Sequence, residues 1–471
     1  MERARLSAAR LKKHWTLEEA AAELGVDRST LLRWEKGKTT PQPMHVRKLC
    51  EIYGVSSASE LDLEEEDSAG TQSATISDEL DDVYTSYCKQ ALILRLLHIV
   101  WNWSSHTARY HELQTLLMLE LEDNSTMDDM ISRRDALRLL ASLPIEYCGL
   151  SALVAVFTRP SEEILTQCAS GITACWYLRR GKELAFVDNV ISKYIPTLKA
   201  IVVQGTAPQR KAAADLLAQC FLLKSTLAKH ITNNNDAISY AVQAEKYGAI
   251  AENTILQIVA LRKQDAAYWY ANHWEQSLHA AEKAKHLLEE KQKVSPSHQA
   301  QEHIPQLVKS YVYAGLASSQ AGYGEKKDAL PSLKKAQTAF FSQSPDEKSF
   351  VWVDHNEENL ILNDGITHLY LGMYKEAFDS FGQVANLNNS ASCVEMHIEA
   401  LINQVMVELS RDDKPRDMEL CITLWTQGIQ GAIALQSEQW FNEAMQAYQA
   451  MRAAWPREQY IKELRDLIIH W

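Results

Sequence analysis

Few residues in this chain stand at spacings that could do covalent chemistry. His111-Glu112 begins as a zinc-peptidase helix begins, but position 115 is Thr where the second histidine ligand has to stand. Gly322-Tyr323-Gly324 is too short to cradle a nucleotide phosphate, and no G-x-S-x-G elbow occurs. His106 and His111 stand five apart, and the 15 histidines do not cluster with Cys or carboxylates at a ligand spacing. Eight cysteines are scattered without a C-x-x-C pair, which is the pattern of buried free thiols in a reducing compartment. No catalysis, metal or cofactor is expected. What remains is hydrogen-bond donation: Arg28, Ser29, Thr30 and Arg33, followed by Lys36, Lys38 and Thr39, form a short run of basic and hydroxyl side chains. Such groups can donate to phosphate oxygens and to base edges.

The elements that must position this run are helices. A first amphipathic stretch covers about Arg3 to Lys13. Thr16-Leu17-Glu18-Glu19 then reads as a capping box whose Thr16 and Glu19 satisfy orphan amides reciprocally. The second helix runs to Leu24, Gly25 suits the left-handed residue that closes it, and Asp27 is an N-cap for a third helix ending near Lys36-Gly37. After a Pro-containing loop a fourth helix passes through Val46, Leu49, Cys50 and Tyr53 and stops before Gly54, and Ser57 opens a short fifth. On the third helix Leu31 and Trp34 form a buried face, which leaves Arg28, Ser29, Thr30 and Arg33 outward.

The order Thr16 to Ala21, Leu24-Gly25-Val26-Asp27, Trp34-Glu35-Lys36-Gly37 and Gly54-Val55-Ser56 resembles the xenobiotic-response-element or Cro/repressor-like helix-turn-helix family over about residues 3 to 63. That resemblance implies double-stranded DNA as partner, with the third helix in the major groove. Arg28, Ser29, Thr30 and Arg33 would then be base readers, and Lys36, Lys38 and Thr39 would lie near phosphate. Since one such head covers a half-site, it also implies a homodimer on an inverted repeat. Many relatives carry Gln at the second position of the capping box, where this chain has Leu17.

Charge supports a divided chain. The first 50 residues carry eleven Lys or Arg against six Asp or Glu, a local +5 in a protein whose total is −13, so the remainder carries −18. Glu64-Glu65-Glu66-Asp67 and the Ser/Thr-rich stretch after it offer little to bury, and a flexible linker is expected over 64–78. Residues 79–160 read as a helical connecting or dimerisation region, with Trp101 and Trp103 on the apolar stretch Ala91 to Trp103. That stretch falls short of the roughly 20 residues a membrane span needs. No charged-then-apolar leader opens the chain, so a cytoplasmic protein is expected.

Over 161–471, helices of roughly 15 residues alternate with short polar breaks. Ile361 to Asn388, with Gly365 and Ala377 twelve apart, Gly372 and Tyr374 between them and Phe381 after, resembles a tetratricopeptide repeat. Ala237, Ser277, Ala329 and Ala377 are the tight-packing anchors, at intervals of 40, 52 and 48 residues rather than the 34 of a regular repeat. The fold class expected is thus all-α: a five-helix repressor-like head over 1–63 and a tetratricopeptide-like solenoid. This order is similar to that of peptide-responsive quorum-sensing regulators, which implies a peptide or protein effector in the concave surface. Asn359, Asn363 and Asn403 are candidates to hydrogen-bond it. The alternative is a helical-repeat scaffold or antagonist that holds a partner protein, with a head of minor or lost DNA affinity.

Overall fold

The computed structural model describes residues 4–13, 15–24, 28–36, 43–53, 110–123, 130–142, 161–179, 183–231, 233–293, 304–344, 347–386, 394–412 and 414–467, with single positions such as Val26, Pro41, Leu61, Leu96 and Val100 between them. The chain divides into two compact units, Met1–Thr85 and Ser86–Trp471. Among the described residues every regular element is helical.

The first unit contains α1 (Ala4–Lys12), α2 (Leu17–Leu24), α3 (Arg28–Glu35) and α4 (Pro43–Tyr53). Each starts and stops within a residue or two of its sequence signals. Leu6, Ala20, Ala21, Leu24, Leu31, Trp34, Leu49 and Tyr53 form one core, with Leu17, Val26 and Val46 packed on its edge. The fifth helix expected from Ser57 lies outside the described residues except for Leu61, which is buried in that core. The linker over 64–78 also lies outside them, as do Trp101 and Trp103 of the apolar stretch.

In the second unit α5 (Tyr110–Asp123) and α6 (Met130–Ser142) pack on α7 (Ser161–Arg179). Leu113, Leu117, Leu137 and Leu140 share one core with Ile164, Cys168 and Ile172, so packing is continuous across position 160. There follow α8 (Leu184–Gln204), α9 (Ala207–His230), α10 (Asn234–Ile250), α11 (Thr254–Tyr270), α12 (Trp274–Lys293), α13 (Gln306–Tyr323) and α14 (Lys326–Phe341). The array continues through α15 (Glu357–Leu371), α16 (Tyr374–Asn386), α17 (Val394–Ser410), α18 (Met418–Leu435) and α19 (Glu438–Ala454), ending with the short α20 (Gln459–Glu463). Cys168, Cys175, Cys220 and Cys421 are buried free thiols.

Consecutive helices pair into tetratricopeptide-like hairpins, α9 with α10, α11 with α12, α13 with α14, α15 with α16, and α17 with α18. The first helix of each also touches the first helix of the next, which stacks α9, α11, α13, α15 and α17 into an inner layer. The four expected anchors, Ala237, Ser277, Ala329 and Ala377, are each the fourth residue of an outer helix and each buried. A twelve-residue offset recurs across the hairpins. Ser225 donates to the Ala237 carbonyl at 2.8 Å, Ser277 to Asp265 at 2.6 Å, and Ser332 to Gln320 at 2.7 Å. The turns close on left-handed residues, Gly324 at φ 102° and Gly372 at φ 78°, while Asn272 takes the same conformation after α11 at φ 58°. The long anchor intervals have a plain cause: α12 runs to 20 residues, and the segment 342–356 between α14 and α15 tucks Val351, Trp352 and Val353 into the core.

Gly365 shows how closely a hairpin is drawn together. A Cβ there would fall 2.6 Å from the ring of Phe381, which is itself fully buried and cannot retreat. Gly365→Ala is expected to destabilise the repeats by about 1–3 kcal/mol through overpacking, read as a lower urea midpoint. An unchanged midpoint would contradict this packing.

Candidate nucleic-acid interface and repeat cavity

The head is built to hold α3 by one side. The Thr16 amide donates to Glu19 at 2.8 Å and the Glu19 amide to the Thr16 hydroxyl at 3.2 Å, so the capping box closes as its spacing requires. Those hydrogen bonds from Thr16 hold the Glu19 carboxyl below its usual range. Leu31 and Trp34 point into the core, with the Trp34 ring 5.3 Å from that of His45. Glu35 is buried and grips Arg10 with both oxygens, at 2.7 and 3.1 Å, while Arg10 also donates to the Trp15 carbonyl at 2.9 Å. Lys48 donates to the Leu24 carbonyl at the end of α2 at 3.0 Å. Burial, reinforced by Glu35, pushes the Tyr53 hydroxyl up to about 12, so it stays neutral beside this pair.

Against that locked side, Arg28, Arg33 and Lys36 are exposed and Thr30 is half-buried. The Ser29 side chain, Lys38 and Thr39 lie outside the described residues. Arg10, which pattern alone would assign to a basic surface, is engaged inside the head instead, while Lys48 stays exposed. Arg10 pairs with an acid 25 positions later, which no local spacing rule could have found.

The inner layer of the repeats lines a cavity of about 100 Å³. In its wall Asp265, fully buried, accepts hydrogen bonds from Ser277 and Ser319, both at 2.6 Å, and faces Arg262 at 2.9 Å. Burial raises the Asp265 carboxyl, and Arg262 and the two serines oppose the rise. Arg262 also lies over the Tyr311 ring at 5.0 Å. Gly315 makes room for it, since a Cβ there would sit 1.9 Å from its Nε. Arg262 continues to Asn363 Oδ1 at 3.4 Å, Asn363 donates to the Asn359 carbonyl at 2.7 Å, and Asn359 Oδ1 lies 2.8 Å from His355 Nδ1. Burial lowers His355 to about 4, so it is neutral here.

Asn359 and Asn363 therefore line the cavity and belong to one hydrogen-bonded chain, in which Asn363 is occupied at both ends. Asn403 stands half-buried on α17 and is not among the lining residues. Sequence reasoning missed the ionic part of the wall, because its partners are far apart in the chain. Arg179 reaches Asp354 at 2.6 Å and Glu395 at 3.6 Å, and Lys263 reaches Asp354 at 3.3 Å. Among the described residues no group of three or more His, Cys, Asp or Glu could hold a metal ion, and no helix is long and apolar enough to cross a membrane.

With the head's geometry in place, comparison with known families is decisive for it. A helix-turn-helix family model matches residues 6–59. Residues 6–59 are a helix-turn-helix domain. Within it α2 and α3 follow each other directly, and α3 is the second of the two. No curated protein sequence matches the chain. Among solved structures the P58(IPK) TPR domain matches at 13% identity over 79% of this chain and 95% of that chain, with a TM-score of 0.18. That score is too low to bear on the repeats, whose character rests on their own hairpins.

Proposed function

We propose that this protein is a sequence-specific DNA-binding transcriptional regulator of the cytoplasm, whose helical repeats sense a peptide or protein effector. The observation that carries the reading is the two-sided third helix: Leu31, Trp34 and Glu35 are locked into the core while Arg28, Arg33 and Lys36 face outward. A helix so held can enter a major groove without losing its packing. Arg28, Ser29, Thr30 and Arg33 read base edges, and Lys36, Lys38 and Thr39 neutralise phosphate. The protein acts as a homodimer on an inverted repeat. Its effector docks at the concave face beside Asn359 and Asn363, with Asn403 further along α17, and shifts the balance between arrangements of the protomers.

The test is the salt dependence of binding by the full-length protein to a duplex selected from random sequence. The logarithm of affinity is expected to fall linearly with the logarithm of salt, with a slope near −0.9 for each phosphate neutralised. No binding at low salt would leave the repeats as a protein-holding scaffold and sink the regulator.

A further inference from the structure

Across its concave side the repeat array is bridged. Glu395 on α17 lies 3.6 Å from Arg179 on α7, and 3.5 Å from Lys229 and 2.7 Å from His230 on α9. One turn later Glu399 accepts the Tyr270 hydroxyl of α11 at 3.0 Å. What these ties leave among the inner helices is the cavity of about 100 Å³. A pocket of about 150 Å³ holds a benzene ring. The space here is therefore that of one side chain, and a helix about 10 Å across does not fit it.

Most polar groups of the wall are spent on one another. Besides the chain from Asp265 to His355, Lys263 pairs with Asp354 at 3.3 Å, Thr226 donates to the Leu222 carbonyl at 3.1 Å, and Ser318 donates to Asn363 Oδ1 at 3.1 Å. Asn234 donates to the Tyr270 carbonyl at 3.2 Å and keeps its own oxygen unpartnered. A polar side chain entering here would have to break such contacts and leave a buried group unsatisfied. The apolar part of the wall carries no such commitment. Leu362 and Ile366, one turn apart on α15, and Met396 on α17 belong to one buried cluster, with Trp269 of α11 packed against it. Ala266 and Ala267 extend the same wall with side chains of a single carbon. Edge contacts with Trp274 at 4.7 Å and Tyr370 at 5.0 Å fix the Trp269 ring. Ala266 and Trp269 are only half-buried, so the cavity is reached from solvent.

On the reading of the concave face as the effector's place, we infer that this cavity takes a single aliphatic side chain of leucine's size, held by apolar contact, while the rest of the effector stays outside. Asn359 and Asn363 then serve as wall rather than as partners, since both are tied into the chain that begins at Asp265. A charged side chain is refused because its charge would stand unpaired among ion pairs that are already formed, in a site that water has largely left. The water an aliphatic group displaces makes few indispensable bonds, because the polar wall is mostly satisfied within itself, and its release favours binding. The unpartnered Asn234 oxygen suits the amide N–H of the residue that carries the side chain.

Methyl-labelled methionine in the full-length protein reads the cavity by nuclear magnetic resonance, with N-acetylleucinamide as the probe and N-acetylasparaginamide, of nearly the same shape, as its polar counterpart. Met396→Leu assigns the Met396 methyl by its loss. The leucine probe is expected to shift that resonance and to show Overhauser contacts from its own methyls to it, and the asparagine probe to bind at least about tenfold more weakly. Ala266→Leu builds a side chain of the probe's size into the cavity and is expected to abolish the shift. If that variant does not fold, the wild-type contact decides: its presence supports the pocket and its absence at saturating probe overturns it. Equal or tighter binding of the asparagine probe overturns apolar recognition and leaves the effector at the concave face. Absence of the contact in a protein whose DNA binding keeps its salt slope removes the pocket and not the regulator.

Discussion

Replacing Arg28 and Arg33 together with alanine is expected to lower affinity for a selected duplex by about a hundredfold or more at fixed salt. Each guanidinium is exposed on the outward side of α3. A side chain that bonds a base edge contributes about 1–3 kcal/mol of discrimination, and two at about 1.4 kcal/mol each give two factors of ten. The loss should be selective: R28A or R33A alone relaxes preference at one base pair, whereas Lys36→Ala weakens all sequences alike and lowers the salt slope by about one. Because both arginines are exposed while Leu31 and Trp34 make the core, the head should lose less than about 1 kcal/mol of stability. Fluorescence anisotropy with the selected duplex and a scrambled one measures both quantities. Unchanged affinity in the double variant would remove these arginines from the interface.

The second large effect is expected in the body, at Arg179. Its side chain is 1% exposed, bonds Asp354 at 2.6 Å, lies 3.6 Å from Glu395 and sits over the Trp176 ring at 5.7 Å. Arg179→Met keeps most of the volume and removes the charge. Asp354 is then left to Lys263 and Glu395 to Lys229 and His230. Breaking a buried pair by removing one partner costs about 3–5 kcal/mol, because the remaining charge stays desolvated. Urea unfolding followed by tryptophan fluorescence should show the loss with little dependence on salt. The exposed pair Lys211 and Glu252, at 2.5 Å, is the control. Lys211→Met should change stability by less than about 1 kcal/mol, since solvent already screens that pair. Equal effects at the two sites would show that the ionic wall does not hold the array.

The sequence alone spells out these two features to different degrees. Arg33 could be read from the sequence because a helix repeats every 3.6 residues, so Leu31 and Trp34 on one face put it off that face, whereas Arg28, three residues before Leu31, borders the face and owes its exposure to the fold. The capping box at Thr16 and Glu19 was equally local. The twelve-residue step from Gly365 to Ala377 was legible for a related reason: a hairpin with a short turn sets two helix positions opposite each other at a fixed offset. Where the connection lengthens, as over 342–356, the offset carries no information. The intervals of 52 and 48 residues then look irregular although the hairpins themselves are alike.

Local pattern thus determined the helical class, the start and stop of α1 to α4, the buried face of α3 and the small-residue anchors of the repeats. Hydrophobic period and capping chemistry act over a few residues, and the chain spells them out. Tertiary structure alone decided how charge is used. It turned Arg10 inward to Glu35, brought Arg179 to Asp354 and Glu395 across more than 170 positions, and set Lys229 against Glu395. It also tied Asn359 and Asn363, which spacing marks only as neighbours on one helix face, into the chain that begins at Asp265. A charged residue carries no period that names its partner. Its pKa and its worth depend on how much water the fold removes around it, and that is settled only when distant helices meet.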